Sequence, residues 1–142
     1  MLLKAASLAF ALLLSACTQQ EFNASHLDPY SVLPGKWGWQ GSDDCAVSPE
    51  TFRFSADRKR FFAAHSLIKD DGSREARREV GYEVHARVPH GLSMTMDNEK
   101  RTDQSGKPVI WELVVVDQDQ VCWHREDWPA GGCTKSILRC KI

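Results

Sequence analysis

Cysteine, histidine and tryptophan, five of each, carry most of the chemical potential of this 142-residue chain. Cys122-Trp123-His124, with His65, His85 and His90, offers the imidazole and thiol groups that zinc selects. A zinc site needs about four converging ligands at recognisable close spacings. These positions are irregularly spaced, so neither a metal nor another cofactor is expected. Asp43-Asp44 and the pair Asp117, Asp119 fall in polar turns, where carboxylates are common without acid–base work. The chain contains no Gly-x-Ser-x-Gly, no His-Glu-x-x-His and no Gly-rich phosphate loop. Binding rather than catalysis is the expectation, and it rests on the indoles. Trp37, Trp39, Trp111, Trp123 and Trp128 can line a site for an apolar, aromatic or sugar ligand, or bury large apolar area in a core. Trp37 and Trp111 are assigned to the core. Trp128, in the loop Glu126-Asp127-Trp128-Pro129, and Trp123 form the candidate binding surface. With 18 Lys+Arg against 19 Asp+Glu, no charge sign dominates and no basic stripe stands out, so nucleic acid is not an expected partner.

The N-terminus reads as an address. Lys4 precedes an apolar run from Ala5 to Leu14, which ends in Leu14-Ser15-Ala16-Cys17. A bilayer-spanning helix needs about 20 apolar residues, so this run has the size of a secretory h-region followed by small residues at a cleavage site. The Leu-Ser-Ala-Cys end resembles the lipobox of bacterial lipoproteins. That resemblance implies a signal peptide over residues 1–16 and fatty acylation (palmitate) of Cys17 as a lipid anchor. The anchor is followed by Thr18, not by the Asp that marks inner-membrane retention in many proteobacterial lipoproteins. The resemblance therefore implies the outer membrane, with the mature domain facing the periplasm. Removing 16 of 142 residues leaves 126, one domain plus a tether.

Polar residues, two prolines and no sustained periodicity assign residues 17–34 to the lipidated Cys and a flexible tether. The domain then spans residues 35–142 and reads as strands. Phe52 and Phe54 alternate with polar neighbours; so do Val80, Tyr82, Val84, Ala86 and Val88, and Leu92, Met94 and Met96. A period of two with one apolar face marks half-buried antiparallel strands. Asp71-Gly72, Pro89-His90-Gly91 and Pro129-Ala130-Gly131-Gly132 supply turn chemistry between the runs. The fold class expected is all-β: a small antiparallel up-and-down barrel, or a sandwich, of about eight strands. Gly35-Lys36-Trp37 on the first strand is similar to the start of lipocalins and other calycin barrels. The resemblance implies that Trp37 plugs one barrel end and that a basic residue of the last strand, Arg139, packs over it.

If Cys17 carries lipid, Cys45, Cys122, Cys133 and Cys140 remain, an even number in an oxidising compartment. Cys122 and Cys140 lie symmetrically about position 131, as opposed residues of a regular hairpin would. Barrel closure would bring Cys45 near Cys133. The favoured pairing is thus Cys122–Cys140 with Cys45–Cys133, and the rival is Cys122–Cys133 with Cys45–Cys140. The functional expectation is a non-catalytic envelope lipoprotein, held to the membrane by its anchor, whose barrel binds an envelope protein. The alternatives are a lipocalin-like carrier of a small apolar ligand and an inhibitor of lysozyme or of a protease.

Overall fold

A computed structural model of the chain describes residues 27–65, 70–73, 75 and 78–141. Eight antiparallel strands run in chain order around a closed barrel, which decides between barrel and sandwich. They are β1 (Gly35–Trp39), β2 (Glu50–Phe54), β3 (Arg60–His65), β4 (Arg78–Val88), β5 (Gly91–Met96), β6 (Trp111–Asp117), β7 (Gln120–Arg125) and β8 (Ile137–Arg139). Two four-residue helices, α1 (Pro29–Val32) and α2 (Asp44–Val47), flank β1. Closure comes from β1, which pairs with β2 through Trp37↔Glu50 and with β8 through Trp37↔Arg139. An eight-stranded barrel has a lumen about wide enough for its own side chains, and alternate residues of each strand fill it. Trp37, Phe52, Phe61, Met94, Leu113 and Ile137 are at most 1% exposed. Each contributes roughly 1.5–3 kcal/mol relative to full exposure.

One strand departs from its sequence pattern. The alternation from Val80 to Val88 predicts a single inward face, but the β4–β5 register shifts between Val84 and Ala86. A bulge at His85 reverses the parity beyond it. Ala86 is consequently exposed, and Arg87 stands opposite the buried Leu92. From there the Arg87 guanidinium donates to the Leu27 carbonyl at 3.2 Å.

That contact belongs to the closed end of the barrel. Asp28 caps α1, its carboxylate accepting from the Tyr30 N–H at 3.2 Å and the Ser31 hydroxyl at 2.9 Å, and Pro29 occupies the first turn. The helix delivers Val32 and Leu33 onto the core, at 7% and 0% exposure. Residues 27–34 are thus part of the barrel unit rather than of the tether assigned to 17–34. Four helical residues are too few to show a period in sequence, and Pro29 and Pro34 around them imitate a linker. Below α1, the Trp37 indole N–H donates to the Leu33 carbonyl at 2.8 Å. The Arg139 guanidinium lies 4.3 Å from the Trp37 ring centre and donates to the carbonyls of Val32, Pro34 and Gln118.

The favoured disulfide pairing, Cys122–Cys140 with Cys45–Cys133, is not formed; the bridges are Cys45–Cys140 and Cys122–Cys133. Register is the reason. β7 and β8 pair Gln120 with Leu138 and Val121 with Ile137, so the position opposite Cys122 is Ser136. Cys140 instead runs on beside β1, its N–H donating to the Lys36 carbonyl at 2.9 Å. Helix α2 folds back over β1 at Gly38, where an added Cβ would stand 2.9 Å from the Cys45 sulfur. Only a glycine lets the helix settle so close, and Cys45 then meets Cys140. In the loop after β7, the Thr134 N–H donates to the Trp123 carbonyl at 2.7 Å and brings Cys133 alongside Cys122.

Candidate functional site

Opposite the Trp37 plug, where β1 ends and β2 begins, the lumen opens. The floor of this mouth is built by aromatic packing from below. Trp37 stacks on Phe52 at 5.7 Å, Phe52 meets Phe61 edge-on at 5.2 Å, and Phe61 leans on Tyr82 at 5.7 Å. Tyr82 stacks on Trp123 at 5.1 Å with ring planes 21° apart. These rings occupy the lower lumen, so what remains is a cup rather than a deep cavity. One lobe of about 380 Å³ is walled by Trp39, Tyr82 and Trp123 with Asp44, Glu50 and His65. A second, about 240 Å³, shares the same three rings and adds Arg101, Trp111 and Thr134.

The two lobes differ electrostatically. Beside Trp111, the Glu99 carboxylate is 2% exposed and accepts from Arg101 Nε at 2.7 Å and from the Trp111 indole N–H at 2.9 Å. Burial opposes its ionisation, but the hydrogen bonds from Arg101 and Trp111 outweigh that and hold its carboxyl down at about 2. The Arg101 charge is spent on this pair, and its guanidinium also lies 4.9 Å from the Trp111 ring centre. The Glu50 carboxyl has no hydrogen-bond or ion-pair partner among the described residues. Burial, reinforced by the neighbouring Asp44 charge, pushes it up from 4.5 to about 7. Burial and the Glu50 charge also push the Tyr82 phenol up, so it stays protonated.

Glu50 makes stability fall with rising pH. Below its ordinary value of 4.5 the carboxyl is protonated in both folded and unfolded chains, and no penalty applies. Between 4.5 and about 7 the unfolded chain releases its proton first, and the folded state loses ground until the folded carboxyl ionises as well. At about 1.4 kcal/mol per pH unit this amounts to roughly 3 kcal/mol, reduced to about 2 by solvent at the mouth. Glu50→Gln is expected to abolish this decline in thermal melts across that window. Parallel profiles for variant and parent would show that the carboxyl is solvated after all.

The residues singled out from sequence fall in three places. Trp123 lies in the cup, 8% exposed, as part of its floor and not on an outer surface. Trp128 is half-buried at the rim, edge-on to Trp111 at 5.8 Å and to His124 at 6.2 Å. Trp111 is half-buried in the cup wall, whereas Trp37 and Arg139 close the far end. His85 lies on the outer surface against Thr95. Cys17 lies outside the described residues. Among the described residues no three His, Cys, Asp or Glu side chains converge on one point, and no helix is long and apolar enough to cross a membrane.

Sequence reasoning left Trp39 without a definite role and missed Glu50, yet both carry a signal. Trp39 shares the parity of the inward Trp37. Glu50 shares the parity of Phe52 and Phe54, and an acidic residue on the apolar parity of a strand must face the lumen. The chain matches no protein-family model, and neither the curated proteins nor the solved structures contain a significant match to it.

Proposed function

We propose that this chain is a non-catalytic lipoprotein of the bacterial outer membrane, anchored through Cys17, whose barrel presents a small binding cup to the periplasm. The observation that carries the reading is the polarity of the barrel. The chain enters at the Trp37 end, where Leu27 is held by Arg87, and the recess lies at the other end. From Cys17 to Leu27 an extended chain reaches at most roughly 35 Å, so an anchor at Cys17 would keep the barrel within that distance of the lipid, attached at its plugged end and with the mouth at the end away from the attachment. A cup of about 380 Å³ accommodates a small molecule or a protruding side chain of a partner. It leaves no room for the long apolar ligand of a deep calyx, because Phe52, Phe61, Tyr82 and Trp123 already stand there.

The anchor and the cup are tested separately. Mass spectrometry of the envelope form is expected to find acyl chains on a mature terminus at Cys17; an intact leader would remove the anchor from the reading. Titration with the neutral aromatic fluorophore N-phenyl-1-naphthylamine is expected to saturate at one site. Trp39→Ala is expected to weaken that binding about tenfold, since an aromatic wall typically contributes more than 1 kcal/mol. Unsaturable binding, or full affinity in the variant, would move the site away from the mouth.

A further inference from the structure

We infer that the mouth cup takes an organic cation, an ammonium-bearing group held between Trp39 and the stacked pair of Tyr82 and Trp123, with Glu50 as its counter-ion. The inference rests on the mouth being the binding site and specifies what the mouth selects. The first ground is the imbalance of charge within the 380 Å³ lobe. Two carboxylates, Glu50 and Asp44, share it, and among the described residues the Asp44 carboxylate accepts only the Trp39 backbone N–H at 3.1 Å. The guanidinium in the adjoining lobe, Arg101, is already paired with the buried Glu99. A half-buried carboxylate without an ion-pair partner among the described residues is costly to ionise, and an incoming cation relieves that cost.

The second ground is the chemistry of the walls. Three aromatic rings surround the same space, and the negative face of an aromatic ring attracts a positive charge by about 0.5–2 kcal/mol. Trp39, at 36% exposure, is one of only two large apolar side chains exposed among the described residues. Its indole stands at the rim of the lobe that holds Glu50. A wall of rings with a carboxylate at its side suits an alkylammonium or a benzylic amine. A bare metal ion would find two carboxylates and too much space.

Protonation of the cup supplies a signature. The groups facing Glu50 are Asp44 from α2, His65 from β3 and Tyr82 from β4, with the Glu99–Arg101 pair in the neighbouring lobe. Glu50 ionises at about 7, so affinity for a cation is expected to rise as pH increases through that value.

Benzylamine, benzyl alcohol and benzoate share one ring and differ in charge, and calorimetric titration of the full mature chain compares them. At about pH 8 benzylamine is expected to bind about tenfold more tightly than benzyl alcohol, with benzoate weakest. Lowering the pH to about 5.5 is expected to remove most of that preference, as Glu50 regains its proton. Glu50→Gln is expected to abolish the preference at the higher pH, whereas His85→Gln, on the outer surface, keeps it. Equal affinity for amine and alcohol, or an amine preference that survives Glu50→Gln, overturns the inference. In either case, saturable N-phenyl-1-naphthylamine binding that is weakened by Trp39→Ala would leave the mouth as the binding site. Loss of that fluorophore signal as well would end both readings.

Discussion

Trp37→Ala is expected to destabilise the domain by about 3–5 kcal/mol, the range for truncating a fully buried indole. The side chain is 0% exposed and closes the barrel from below. Its loss leaves a cavity beneath Phe52, removes the donor to the Leu33 carbonyl and strips the ring from under Arg139. Domains of this size have only about 5–15 kcal/mol in total, so the variant lies near the folding threshold. At a urea slope of about 2 kcal/mol per molar, the midpoint should fall by roughly 2 M. Arg139→Lys is the companion variant. It keeps the charge, but a single ammonium cannot reproduce the planar fork that serves the Val32, Pro34 and Gln118 carbonyls. A loss of about 1 kcal/mol is expected there, because some of these largely exposed hydrogen bonds are lost. A shift of under 1 kcal/mol for Trp37→Ala would mean that the indole is not the plug.

The second large effect separates the two disulfides. Cys45–Cys140 joins residues 95 apart, and Cys122–Cys133 joins residues 11 apart. On chain entropy alone, closing the longer loop stabilises by about 4.7 kcal/mol and the shorter by about 2.8. Replacing Cys45 and Cys140 by alanine is therefore expected to cost about 2 kcal/mol more than replacing Cys122 and Cys133. Denaturant melts of the two double variants read this difference directly. The longer bridge also fixes α2 on β1, and with it Asp44 and one side of the cup, so its removal should weaken ligand binding as well. Peptide mapping of unreduced protein is expected to yield a Cys45–Cys140 fragment. A Cys122–Cys140 fragment would contradict the β7–β8 register.

Much of the barrel was legible because strands advertise themselves in a period of two. Phe52 with Phe54 and Leu92 with Met94 identify the inward face without any coordinates. The Gly35-Lys36-Trp37 start likewise pointed to the end that Trp37 fills. Prediction stopped where one residue of register changed the outcome. The bulge at His85 turned Arg87 from the outer face to the barrel end, and a fold point two residues earlier than expected set Ser136, not Cys140, opposite Cys122. Helix α1 was invisible for a different reason, being too short to display a period.

Composition and local pattern determined the strand content, the inward parity and the residues available for a site, because each depends on neighbours close in sequence. The Leu14-Ser15-Ala16-Cys17 pattern, which lies outside the described residues, is also readable only there. The disulfide partners, the polarity of the barrel and the meeting of Trp39, Glu50, Tyr82 and Trp123 around one space were decided by the tertiary structure. Those relations join residues far apart in the chain, and they exist only once ladder register and barrel closure have brought the strands together.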